Sequence, residues 1–222
     1  MTFAPLAWLK LQYFCHAGDT EVGGYAVTSQ DNPFFVDDFQ TVAQESTCLS
    51  VRFLDTAVAE FFDRCVDRGL APQRFARIWC HTHPGASVTP SGTDEETFGR
   101  CFGGCDWAVM FILGRTGNTY ARLSFGAGPG GQLPVAVGVD WLGWPRWLEE
   151  HGGALAGLAQ AWAQEYAANV TMPPTGLWPA PLAETVETGE GPTDHPGRLW
   201  TPDGPVTEHW PEEELDAWQF PW

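Results

Sequence analysis

Ten of the chain's 18 prolines fall in its last fifty residues, and that concentration limits how much of the sequence can enter a regular fold. Proline lacks a backbone N–H, and its ring blocks helix interiors and central strands. Residues 173–222 also carry ten acidic residues against a single basic one, Arg198. No helix or sheet of useful length is expected there, so one domain should end near residue 172. The five tryptophans of this segment argue against a purely solvated tail. It is expected to lie extended over the domain or to dock on a partner.

Before that boundary the pattern mixes two periodicities. Residues 8–16 and 21–29 alternate as strands around a Gly-Asp turn, and 34–42 reads as a third strand. Residues 54–69 place apolar side chains at helical spacing and end on Gly69, a stop signal. A strand follows over 74–81, a short helix over 92–102, and a hairpin around Thr116-Gly117-Asn118. Residues 132–141 add one more strand. The Ala/Leu-rich stretch 146–169 reads as helix, weakened in its first half by Gly152 and Gly153. The expected fold class is α+β, with a domain over 1–145, a C-terminal helix over 146–172 and an irregular extension over 173–222.

The chemistry concentrates in "WCHTHPGASVTPSGTD", residues 79–94. Ser91-Gly-Thr-Asp94 is by itself a capping box, with the serine bonding the first helical turn and the acid facing the helix dipole. Strand alternation, however, sends His81 and His83 to one face, where two neutral imidazoles make natural zinc ligands. Asp94, at the next helix start, can supply a third ligand and leave one coordination position open. Pro84 and Gly85 turn the chain back towards the metal. Such a site needs a group to shuttle protons. Glu21 is the candidate, because it opens a strand otherwise poor in charge, and Gly23 and Gly24 behind it permit close backbone approach.

His81-x-His83-Pro84, seven residues between His83 and Ser91, two more before Asp94, and Glu21-Val-Gly-Gly sixty residues upstream resemble the JAMM motif of the JAB1/MPN metalloprotease family. The resemblance covers roughly residues 8–140 and is closest to the compact bacterial members. It implies a JAB1/MPN-like, cytidine-deaminase-like β-sheet flanked by helices. It also implies one Zn2+ per chain held by His81, His83 and Asp94. Glu21 would take a proton from water and return it to the leaving amine. Ser91 would donate a hydrogen bond to the oxyanion. The reaction would be hydrolysis after the C-terminal Gly-Gly of a ubiquitin-like protein or its conjugates, with E1-like and E2-like proteins as further partners. In this family a stretch before the first helix can pair with the substrate tail; here Ser50, Val51 and Arg52 would add a strand to it. Two alternatives stand beside this reading: a JAMM hydrolase acting on a sulfur-carrier protein, and a non-catalytic MPN scaffold.

The remaining features exclude rather than assign. A formal net charge of −17, from 28 acidic against 11 basic residues, disfavours nucleic-acid backbones and anionic membrane surfaces. No apolar run reaches the roughly 18 residues that span a bilayer. The N-terminus lacks a basic start and a small-residue cleavage site, so no signal peptide is read and a cytoplasmic location is expected. The six scattered cysteines are expected to be reduced and mostly buried, "CFGGC" (101–105) being only a weak metal signal. "GAGPGG" (126–131) has a proline inside it and strand-like sequence after it, so it reads as a loop and not a dinucleotide site.

Overall fold

The computed structural model describes residues 1–173, 200–201 and 204–205. The chain divides into two compact units, Met1–Trp178 and Pro179–Trp222. Within the second, β12 (Trp200–Thr201) and β13 (Gly204–Pro205) form a two-residue antiparallel ladder, and the expected docking of residues 173–222 otherwise lies outside the described residues. The elements described next belong to the first unit. In chain order they are β1 (Thr2–Phe3), α1 (Pro5–His16), β2 (Gly23–Thr28), β3 (Phe35–Thr41), β4 (Gln44–Ser46) and β5 (Val51–Phe53). Then come α2 (Asp55–Asp67), β6 (Ile78–His83), α3 (Gly92–Phe102), β7 (Trp107–Gly114) and β8 (Thr119–Phe125). The unit closes with β9 (Gly131–Pro134), β10 (Gly138–Val139), α4 (Trp144–His151), α5 (Leu155–Asn169) and β11 (Val170–Thr171).

Eight strands form one mixed sheet in the order β10-β1-β3-β2-β6-β7-β8-β9, and a small sheet has the order β11-β4-β5. The fold is therefore α+β, a mixed sheet flanked by helices. Alternation along β6 gives the sheet two dry faces. Ile78 and Cys80 join Leu11 and Phe14 of α1, while Trp79 faces Phe61 of α2 and Phe98 of α3. Each large side chain removed from water in these layers contributes about 1.5–3 kcal/mol. His81 and His83 share Trp79's face, which is the face α3 covers.

One expected strand is a helix. Residues 8–16 alternate in hydropathy, yet α1 begins at Pro5, a favoured first helical position. Its buried residues Ala7, Leu11, Phe14 and Cys15 follow a period near 3.6. Lys10 breaks the helical pattern in the sequence because it is itself buried. Its Nζ lies 2.8 Å from Glu165 of α5 and 3.5 Å from Asp38 of β3.

Smaller differences have local causes. The strand expected over 74–81 starts at Ile78, because Pro72–Arg74 form a 3-10 turn. The strand expected over 132–141 is two short strands, β9 and β10. The helix expected over 146–169 divides into α4 and α5 at a 3-10 turn, Gly152–Ala154. Three of the cysteines (Cys15, Cys65, Cys80) are buried, Cys105 is half-buried, Cys48 and Cys101 are exposed, and all are free thiols. Among the described residues no helix is long and apolar enough to cross a membrane.

Candidate metal centre

Three elements deliver the site. Glu21 sits just before β2, where its N–H donates to Thr47 O at 2.8 Å. The next residue is held to β6: Val22 N–H donates to Thr82 Oγ1 at 3.0 Å and Thr82 N–H to Val22 O at 2.9 Å. His81 pairs with Gly23 on one side and with Ile112 of β7 on the other, so its position follows from the sheet register. His83 ends β6. Asp94 lies in the first turn of α3, where Ser91 Oγ accepts from Asp94 N at 3.2 Å and Ser91 N donates to Asp94 Oδ2 at 2.7 Å. The capping box is thus present, and it is what orients the carboxylate.

One ligand atom from each of Glu21, His81, His83 and Asp94 lies within 4.8 Å of all the others. It is the only such metal-capable group among the described residues. His81 Nε2 is 3.3 Å from Asp94 Oδ1, and His83 Nε2 is 3.7 Å from both Asp94 Oδ2 and Glu21 Oε1. These are charge contacts without hydrogen-bond geometry. Both His81 nitrogens, His83 Nε2 and Glu21 Oε2 are buried and have no hydrogen-bond partner. Leaving such groups buried and unpaired is costly. A cation offers the two imidazoles and two carboxylates the missing partner, so the donor set fits a metal ion. Asp94 Oδ2 already accepts from Ser91 N and Oγ, which leaves Oδ1 for the metal.

The surroundings tune each group. His83 Nδ1 lies 2.9 Å from Ser87 O, a carbonyl that can only accept, so Nδ1 carries the proton and Nε2 presents a lone pair to the cluster. Burial lowers the His81 pKa; the Trp79 ring stacks on it with centroids 4.3 Å apart. Burial also pulls on His83, but Asp94, the Ser87 carbonyl and Glu21 together hold its pKa above the usual value. Burial pushes Asp94 up, and the two adjacent imidazoles outweigh it, keeping the carboxyl well below the usual range. Glu21 moves the other way. Burial raises its pKa to about 8, with His83 opposing and Asp94 reinforcing the shift.

Glu21, His81, His83 and Asp94 therefore meet. Ser91 stands beside them with its hydroxyl directed at Asp94 Oδ2, 2.8 Å away. Ser50, Val51 and Arg52 are not in the cluster. They line one wall of a cavity of about 580 Å³ whose other walls include Tyr25, Trp79 and Thr97. Ser50 Oγ lies 3.0 Å from Thr47 Oγ1, and Arg52 forms an ion pair with Glu45. β5 is the edge of its sheet. Thr47 N–H donates to Ser50 O and Leu54 N–H to Ala43 O, so alternation turns the N–H and C=O of Val51 and Phe53 outwards.

Reading the sequence missed Trp79, which strand alternation from His81 could have flagged. It also missed the Ser87 carbonyl, which carries no signal before the chain is folded. No family model and no curated protein matches the chain.

Proposed function

We propose that this protein is a zinc-dependent hydrolase of the JAMM type, built on a JAB1/MPN-like fold and cleaving after the C-terminal Gly-Gly of a ubiquitin-like protein or its conjugates. The observation that carries the proposal is the buried, unpartnered cluster of Glu21, His81, His83 and Asp94. Its composition suits zinc, with two imidazole nitrogens and a carboxylate oxygen as ligands. His81, His83 and Asp94 would hold the ion, since their free atoms converge and Asp94 is already oriented by its helix. A zinc ion held there would act as a Lewis acid on a carbonyl oxygen and acidify water.

The chain's own residues supply the rest. Glu21, whose Oε1 lies 3.7 Å from His83 Nε2 and whose Oε2 has no partner, would take a proton from water and pass it to the departing amine. Ser91 Oγ, next to Asp94, would turn from Oδ2 to donate to the developing oxyanion. The outward N–H and C=O groups of Val51 and Phe53 would pair with an extended substrate tail. Ser50, Val51 and Arg52 would then wall the groove that holds it.

The test has two readouts. Elemental analysis of the wild type should find about one zinc per chain, and His83→Ala should lose it. Mass spectrometry should then show the zinc-loaded wild type cleaving a peptide whose C-terminal Gly-Gly is joined to a lysine Nε. A wild type that binds no zinc when zinc is supplied would refute the proposal.

A further inference from the structure

The β4–β5 hairpin meets the strand leading out of Glu21 through one side chain. β3 pairs with β2 as far as Gly24, opposite Thr41, and the chain then turns into β4. Gly23, the partner of His81 on its other side, is left without a strand neighbour along that edge. The carboxamide of Gln44 takes the missing strand's place. Gly23 N–H donates to Gln44 Oε1 and Gln44 Nε2 donates to Gly23 O, each at 2.8 Å. The second Nε2 proton goes to Val42 O at 2.9 Å, and Oε1 also accepts from Ser46 Oγ at 3.2 Å. Every donor and acceptor of the amide is used, in a residue only 1% exposed.

Two neighbouring bonds extend the link. Thr47, in the same hairpin, accepts the Glu21 N–H, so two of the three residues 21–23 are held by the hairpin and Val22 by β6. Gln44 O accepts from Thr171 Oγ1 at 2.9 Å, where β11 pairs with β4 in parallel. One residue thus joins the proton-shuttle strand, the hairpin carrying the free edge of β5, and the end of the C-terminal helix. An apolar side chain of equal size would fill the same space. Only the carboxamide adds to the Glu21–Thr47 bond a second fix on the hairpin's register along β2, because its two-point bond to Gly23 closes in a single register.

We propose that Gln44 is a positioning residue for the hydrolysis, registering the substrate edge of β5 with Glu21 and the metal cluster, and that β11 supports it through Thr171. This rests on the hydrolase reading above.

The test compares wild type, Gln44→Met and Thr171→Val, all zinc-loaded and full length. Zinc content, amide hydrogen exchange and steady-state cleavage of the Gly-Gly isopeptide probe are measured on each. In Gln44→Met zinc is retained, because no ligand is touched, while exchange quickens over residues 45–53 and at Glu21. Its kcat/KM falls about tenfold or more, through both kcat and KM, because the shuttle and the substrate edge are displaced together. Thr171→Val, which removes one hydroxyl at the surface, raises KM and leaves kcat. Unchanged kcat and KM in Gln44→Met despite faster exchange would overturn the positioning role, and so would unchanged exchange. If Gln44→Met fails to fold, Thr171→Val decides, and an unaltered KM there counts against the proposal. A zinc-loaded wild type that neither cleaves the probe nor binds its Gly-Gly product sinks the hydrolase reading and this inference together. Wild-type cleavage with indifferent variants sinks only the role of Gln44.

Discussion

At the scale of single residues the cluster sets protonation states against one another, and the metal-free protein should show it. Glu21 titrates near 8 when folded and near 4.5 when unfolded. Between these values the folded state binds more protons than the unfolded one, so stability falls as pH rises from about 4.5 to about 8. His83, also raised, contributes in the same direction, and His81, lowered, in the opposite one, losing stability as pH falls below 6.5. Glu21→Gln keeps the shape and cannot ionise. Without metal, wild type and variant should melt close together at pH 5, and at pH 9 the variant should melt several degrees higher. With zinc supplied, the variant should still hold the ion and lose turnover, because only the shuttle is gone. Parallel melting curves across that range would mean that Glu21 is not buried as a charge-averse group.

Among the elements, the close approach of the β4–β5 hairpin to β2 depends on one missing side chain. A Cβ on Gly23 would lie 2.8 Å from Phe53 Cε1 and 3.1 Å from Val51 Cγ1. Gly23→Ala should push the free edge of β5 away from the cluster and destabilise the protein by about 1–3 kcal/mol, as overpacking does. Gly99→Ala is the matched control. Gly99 lies within α3, and a Cβ there meets nothing within 4 Å, so helix propensity should stabilise it by up to about 1 kcal/mol. Chemical denaturation distinguishes the two, and a Gly23→Ala protein as stable as wild type would show that the hairpin yields freely. The same elements show what was legible in the sequence. α3 was readable to the residue because its cap is local, and His81 and His83 because alternation is local. α1 was misread because Lys10 is buried by partners at Asp38 and Glu165, which no local pattern reveals. The strands β4, β5 and β11 are only two or three residues long, too short for a periodic signal, and β11 exists through pairing across more than a hundred positions, between Val170 and Gln44.

For the whole molecule, the question is whether the first compact unit depends on anything beyond itself. Its sheet carries a buried layer on each face, and both layers are made of residues from Phe3 to Ala121, with Trp162, Tyr166 and Val170 packed against the first. α5 is tied in by polar bonds as well: Glu165 accepts from Thr41 N and Oγ1, and Asn169 donates to Thr41 Oγ1. The last helix thus packs on the domain core through partly buried side chains, whereas the composition break comes immediately after β11. A chain ending at Trp178 should therefore melt within a few degrees of the full-length protein and hold the same zinc. That cut removes ten acidic residues and Arg198, taking the formal net charge from −17 to −8. The shortened chain stays acidic and should still bind no DNA at physiological salt. Calorimetry and elemental analysis on the two lengths check the prediction. A drop of ten degrees or more, about 2.5–5 kcal/mol for a chain of this size, would mean that the tryptophan-rich extension supplies part of the domain's burial. Equal melting with equal zinc would leave residues 179–222 free for a partner, their four tryptophans then serving recognition rather than the core.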